Sequence, residues 1–128
     1  MEHEDFVTFE QAVKLKELGF NWECDYCYYY NFHNHDNPIF ARHELIDPCD
    51  VEEYWDAPTL SQAQKWLREV KEICVTSGIK IHEGKYKFNW SITLFKEGRG
   101  IWDESVIYDT YEQALLAGIN RVLELIKK

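Results

Sequence analysis

Lys85-Tyr86-Lys87-Phe88-Asn89-Trp90-Ser91-Ile92-Thr93-Leu94-Phe95 alternates apolar with polar side chains without a break. Tyr86, Phe88, Trp90, Ile92 and Leu94 share one face. Lys85, Lys87, Asn89, Ser91 and Thr93 share the other, which is the period of a strand with one buried side. A half-buried strand needs helices or a second sheet over its apolar face, and its flanks supply helices. Upstream, Thr59 opens a segment in which Leu60, Ala63, Trp66, Leu67, Val70 and Ile73 recur at three and four. Downstream, Tyr111, Ala114, Leu115, Ile119, Val122, Leu123 and Ile126 do the same, with Lys127 and Lys128 placed to complement the helix dipole. Ile79 to His82 reads as a short strand turned by Glu83-Gly84. Glu97-Gly98-Arg99-Gly100 turns the long strand into a third over Ile101 to Tyr108.

The C-terminal half, 59–128, therefore reads helix-strand-strand-strand-helix. The fold class expected is α+β, an antiparallel sheet with helices packed on one face. Trp66, Trp90 and Leu123 are expected to meet in its core.

The N-terminal half is built differently. Phe9 to about Leu18 forms a helix ended by Gly19, with Phe20 at C″ set against Leu15 at C3 as in a Schellman turn. Tyr26 to Phe32 is a strand, His33 to Pro38 a polar turn, and Ile39 to Leu45 its return. A helix plus hairpin over 6–45 is expected to extend the main sheet at its edge. The acidic stretch 46–58, with Pro48 and no consistent period, reads as a surface loop. Thr8, Thr59 and Thr110 are equally spaced, and each begins a capping box closed by Gln11, Gln62 or Gln113. The residues after the three boxes are dissimilar, so the spacing is not read as a repeat.

A chain of 128 residues and 15.3 kDa suits one domain with one core. Aromatic residues make up 16%, enough that some rings are expected at the surface. The formal charge of -9 repels a phosphate backbone, so nucleic acid is a poor partner. The helix-strand-strand-strand-helix order is also that of double-stranded RNA-binding domains. Those need basic residues at the start of the second helix, whereas this chain has Asp109-Thr110-Tyr111-Glu112 there. No secretory signal and no run of about eighteen apolar residues is present, which points to a cytoplasmic chain without membrane association, its cysteines kept reduced.

The residues Leu15-Lys16-Glu17-Leu18-Gly19-Phe20 with Cys24 and the tyrosine run, then Ala57-Pro58-Thr59 with Gln62-Ala63 and Trp66-Leu67-Arg68-Glu69, then Thr110-Tyr111-Glu112-Gln113-Ala114, cover about a third of the chain. Together they make it resemble a family of small uncharacterised proteins of gut bacteria, their phages and mobile elements. The resemblance implies no activity, cofactor or catalytic residue. Cys27 and the histidines fall outside its pattern.

Two candidate sites emerge. Cys24 and Cys27, two residues apart, with His33 and His35 nearby, have the donor types of a zinc site. Only five residues part Cys27 from His33, too few for a finger. The string His33-Asn34-His35 is not a nuclease motif, whose members are dispersed over several elements. Cysteine catalysis would need a base beside the thiol, and Cys49 lies near His43 in sequence. The acidic residues Asp47, Asp50, Glu52, Glu53 and Asp56 lack the glycine and ligand spacing of a calcium loop. The other candidate is aromatic. Tyr28, Tyr29 and Tyr30, with Tyr54 and Trp55 of the acidic stretch, are expected to leave one face of a strand accessible to a protein partner, since Tyr and Trp anchor such interfaces. The functional expectation is a non-enzymatic protein-binding domain without a cofactor, and the alternative is a zinc-binding one.

Overall fold

The structure, a computed structural model, describes residues 5–31, 34–102 and 107–126, with the side chains at all of these except 34, 35 and 50. The elements run α1 (Phe9–Glu17), β1 (Tyr26–Asn31), β2 (Asn34–Arg42), β3 (Val51–Asp56), α2 (Leu60–Val70), β4 (Ile73–His82), β5 (Lys85–Leu94), β6 (Arg99–Trp102) and α3 (Tyr111–Leu125). The class is α+β, and α2-β4-β5-β6-α3 has the order expected of the C-terminal half.

Helix starts coincide with their capping residues. The hydroxyls of Thr8 and Thr59 accept from the N–H groups of Gln11 and Gln62, whose side-chain carbonyls accept in return from Thr8 and Thr59 N–H. At α3 the device is half formed: Thr110 accepts from Gln113 N–H, but the Gln113 carbonyl accepts from Asp109 N–H one residue earlier. The end of α1 is a Schellman turn. Phe20 N–H donates to Leu15 C=O at 2.9 Å and Gly19 N–H to Lys16 C=O at 3.1 Å, with Gly19 at φ 97°.

The strands form two antiparallel sheets. One has the order β4-β5-β6, the other β2-β1-β3. The hairpin of β1 and β2 thus does not extend the main sheet, but completes a separate one with β3. The expected loop at 46–58 follows a 3-10 turn at His43–Leu45 and holds a second one, Pro48–Asp50, and then β3 itself. Two features hid this strand. It lies at a sheet edge, where Glu52 and Glu53 meet solvent, and a bulge at Tyr30/Asn31 shifts its register on β1. Although both halves place three strands after a helix, the middle strand is the first of its unit in one sheet and the second in the other.

α2 also ends earlier than its stripe implied. Lys71 is the cap, Glu72 adopts φ 57°, and Ile73 starts β4, which leaves Val70 half exposed. β6 stops at Trp102 and 103–106 lie outside the described residues. Tyr108 rejoins the edge by exchanging two hydrogen bonds with Phe88. Of the apolar stripe expected on α3, Tyr111 is 40% exposed while Ala114, Leu115, Ile119, Val122 and Leu123 are buried.

One core joins the parts. Trp66, Trp90 and Leu123 all belong to it, with Val75, Ile92 and Leu94 from the sheet under α3. α3 packs on β4 and β5 so closely that a Cβ at Gly118 would stand 2.8 Å from Val75 Cγ2 and 2.9 Å from Trp90 Cβ. The buried Gln11 ties α1 to the same helix, its amide donating to Leu116 C=O at 3.0 Å. Among the described residues no helix is long and apolar enough to cross a membrane.

Candidate functional site

The aromatic candidates divide by strand parity. On β1, Tyr26, Tyr28 and Tyr30 face the same side as their cross-strand partners Phe40 of β2 and Trp55 of β3. Phe6 and Phe9 pack on that side. Phe9 meets Tyr28, Tyr30 and Trp55 edge-on at 5.1 to 5.8 Å, and Tyr26 stacks on Phe40 at 5.2 Å. The Tyr28 ring is buried, and its hydroxyl donates to Val7 C=O at 2.7 Å. Burial, with Glu10 adding to it, raises the Tyr28 pKa. Tyr28 is thereby withdrawn from the expected contact set, because the edge-to-face cluster with α1 is what holds this sheet in the core. Tyr30 and Trp55 are half-buried in the same cluster. Tyr29 and Tyr54, paired across the strands, lie on the opposite side, and only Tyr54 is well exposed. Phe32 lies outside the described residues.

Among the described residues the cysteines and histidines do not converge. Cys24 and Cys27 are both buried at the start of β1, where Cys27 pairs with Ala41 and Asp56. His33 and the His35 side chain lie outside the described residues. Burial, reinforced by the Asp56 carboxylate, pushes the Cys24 thiol up to about 12 and that of Cys27 to about 11. A thiol so shifted stays protonated at neutral pH, which does not suit a nucleophile. His43 does find a partner, with its Nε2 2.8 Å from Asp56 Oδ1 and its ring edge-on to Tyr54. The pair ties the chain after β2 to the last residue of β3. All four cysteines are free, and no group of three His, Cys, Asp or Glu among the described residues could hold a metal ion.

A third surface was missed by reading residues alone. β4 and β5 pair without a register shift from Ile73↔Leu94 to His82↔Lys85. Along the core face the pairs are Ile73/Leu94, Val75/Ile92, Ser77/Trp90, Ile79/Phe88 and Ile81/Tyr86. The first three lie under the helices. At the last two the cover ends: Ile79 is 67% exposed, Ile81 75% and Tyr86 72%, with Phe88 and the edge-on Tyr111 ring at the boundary. The cause is length. Ten residues of strand span about 33 Å, while the fifteen-residue α3 spans about 22 Å even if laid along them. The arm therefore carries its core face into solvent.

The other face of the arm is cationic, on a chain with 23 acidic and 14 basic residues. Lys80 stands directly opposite Lys87 and His82 opposite Lys85. The like charges of Lys80 and Lys87 repel. Lys87 is relieved by an ion pair with Asp109, whose carboxyl is held below its usual range chiefly by that hydrogen bond. No salt bridge reaches Lys80 or Lys85 among the described residues.

A surface groove of about 450 Å³ runs between α1 and α3, lined by Phe9, Val13, Leu18 and Leu123. Its charged lining comes from α1 alone, so no polar groups converge across it. Compared with protein-family models, with curated proteins and with solved structures, the chain gives no match.

Proposed function

We propose that the chain is a non-enzymatic protein-binding domain whose contact surface is the free end of the β4–β5 arm. The observation that carries this reading is the pair of consecutive cross-strand contacts, Ile79/Phe88 and Ile81/Tyr86, that continue a core face beyond its covering helix. Contiguous exposed apolar side chains rimmed by charge are the usual mark of a contact site. The site differs from the one expected at Tyr28, Tyr29, Tyr30, Tyr54 and Trp55, where Tyr28, Tyr30 and Trp55 pack against Phe9 of α1. Burying Ile79, Ile81 and Tyr86 would yield roughly 5 to 8 kcal/mol, close to the lower range of what association costs in lost freedom. Side-chain burial alone thus supports weak binding, and a useful affinity needs further contacts. The reading places the protein inside the cell, where four unpaired thiols stay reduced.

The test is cross-linked capture from the protein's own cells with three baits: the parent chain, an Ile81→Lys/Tyr86→Lys variant and a Tyr54→Lys variant. The arm variant should melt within a few degrees of the parent, since its replaced side chains are exposed. It should lose the captured proteins that Tyr54→Lys retains. The opposite pattern, partners kept by the arm variant and lost by Tyr54→Lys, would return the contact surface to the first sheet.

A further inference from the structure

β4 is an edge strand, and the phase of its hydrogen bonds can be read from its turn. Glu83 and Gly84, at φ 51° and 78°, form a two-residue hairpin loop, so His82 and Lys85 are the hydrogen-bonded pair that closes it. In an antiparallel ladder such pairs alternate with pairs whose main-chain groups point away. Lys80 and Gly78 therefore bond inward to β5, while the N–H and C=O groups of Ile81, Ile79 and Ser77 point outward from the sheet. An independent contact fixes the same phase. Val75 C=O, next in this series, accepts from the Gln64 side-chain amide of α2 at 2.7 Å. α2 thus closes the edge as far as Val75. Beyond it, no other described element bonds to the main chain of Ser77, Ile79 or Ile81.

Three facts now meet at one place: an edge without a partner among the described residues, an apolar face holding Ile79 and Ile81, and an opposite face holding the Lys80 ammonium, also without a partner among the described residues. A strand added to this edge would set its own side chains alternately beside each face. We infer that β4 takes up, by strand addition, an extended segment of another protein in which apolar residues alternate with Asp or Glu. The apolar residues continue the Ile79/Ile81 row, the carboxylates lie beside Lys80, and the main chain completes the open hydrogen bonds. A second copy of β4 fits less well, since it would bring its own Lys80 and His82 onto a face that already repels cations. The inference rests on the arm being the contact surface and adds the mode of contact and the chemistry of the partner.

The probe is a fluorescein-labelled peptide of about eight residues alternating valine with glutamate, long enough for the roughly 17 Å of open edge, titrated with the full chain by anisotropy. A valine–lysine peptide of equal length should bind about tenfold more weakly, as an attractive cross-strand pair becomes a repulsive one. Of two valine–glutamate peptides N-methylated at either the valines or the glutamates, one should lose binding and the other keep it, because a strand pairs through one edge. Equal binding by both methylated forms and the parent peptide would overturn strand addition. If Ile81→Lys still abolished that binding, the arm would stand as the contact surface. Binding unaffected by Ile81→Lys would remove the arm itself. No binding of the valine–glutamate peptide up to about 1 mM, near the weakest affinity worth naming, would overturn the inference. So would a dimer that dissociates in Ile79→Lys and excludes the peptide, which would give the edge to a second copy.

Discussion

Replacing Gly118 by alanine sets two effects of opposite sign against each other. Glycine inside a helix costs about 1 kcal/mol relative to alanine, so on propensity alone Gly118→Ala should stabilise α3. The packing opposes it. The new methyl would lie 2.8 Å from Val75 Cγ2 and 2.9 Å from Trp90 Cβ, and carbon atoms need at least about 3.5 Å. Val75 could rotate, but Trp90 Cβ is fixed to the backbone of β5, so α3 must lift by roughly 0.6 Å or more along that line. Lifting it loosens Ile119, Val122 and Leu123 from the sheet. Overpacking of this kind costs about 1 to 3 kcal/mol. With backbone on one side of the clash the upper half applies, for a net loss of about 1 to 2 kcal/mol. Urea unfolding followed by tryptophan fluorescence measures it, with the midpoint falling and the slope unchanged. Val75→Ala in the same background should recover only part of the loss, because the Trp90 contact remains. A Gly118→Ala protein more stable than the parent would refute the close approach of α3 to the sheet, and with it the core arrangement described above.

Trp90→Ala should cost about 3 to 5 kcal/mol through lost burial and the cavity it leaves, and a melting temperature within a few degrees of the parent would contradict its place under α3. Tyr28→Ala should cost about 3 kcal/mol or more, Tyr28→Phe about 1 from the lost bond to Val7 C=O, and Tyr29→Ala under about 1; chemical denaturation of the three variants ranks them. Gln11→Ala removes both a cap and the link to Leu116 and should cost about 1 to 2 kcal/mol, several times more than Gln113→Ala at the half-formed box of α3. An aromatic disulfide reagent at pH 8 should label Cys49 first and leave Cys24 and Cys27 untouched until the chain unfolds. Both buried thiols are raised from 9.0, so the folded state keeps protons that the unfolded state has released. Their contribution is complete below pH 9 and lost as pH climbs toward their folded values, and Cys27→Ala should flatten that alkaline fall in a pH series of denaturation midpoints.

What was legible in the chain was whatever local chemistry decides. Thr8 and Thr59 begin helices because a hydroxyl and a glutamine three residues on satisfy the first N–H groups. Gly19 ends one because a glycine turns left-handed there without strain, and the alternation from Lys85 to Leu94 is a strand whose expected inner face is buried at Trp90, Ile92 and Leu94. β3 was not legible, because Val51–Asp56 has acidic residues where an edge strand meets water, and its pairing depends on a tyrosine strand distant in sequence. Nor could residue pattern say which side of β1 would be covered, since parity defines two faces and only the position of Phe9 selects between them. Ile73 continued the helical stripe of α2 by spacing but was claimed by the sheet. The exposed arm was legible in principle through lengths: a ten-residue strand cannot be roofed by a fifteen-residue helix, although each alone looks ordinary.

The place of α3 in the chain has a consequence for synthesis. It is the roof of β4 and β5 and the anchor for α1, yet it comes after both sheets in sequence. On the ribosome, Val75, Trp90 and Ile92 are made before α3 can cover them. For that interval the nascent chain presents a flat apolar surface with a free edge, the form most prone to association with its neighbours on a polysome. The acidic balance of the chain as a whole, which keeps such intermediates apart by repulsion, acts during this interval as much as in the finished fold.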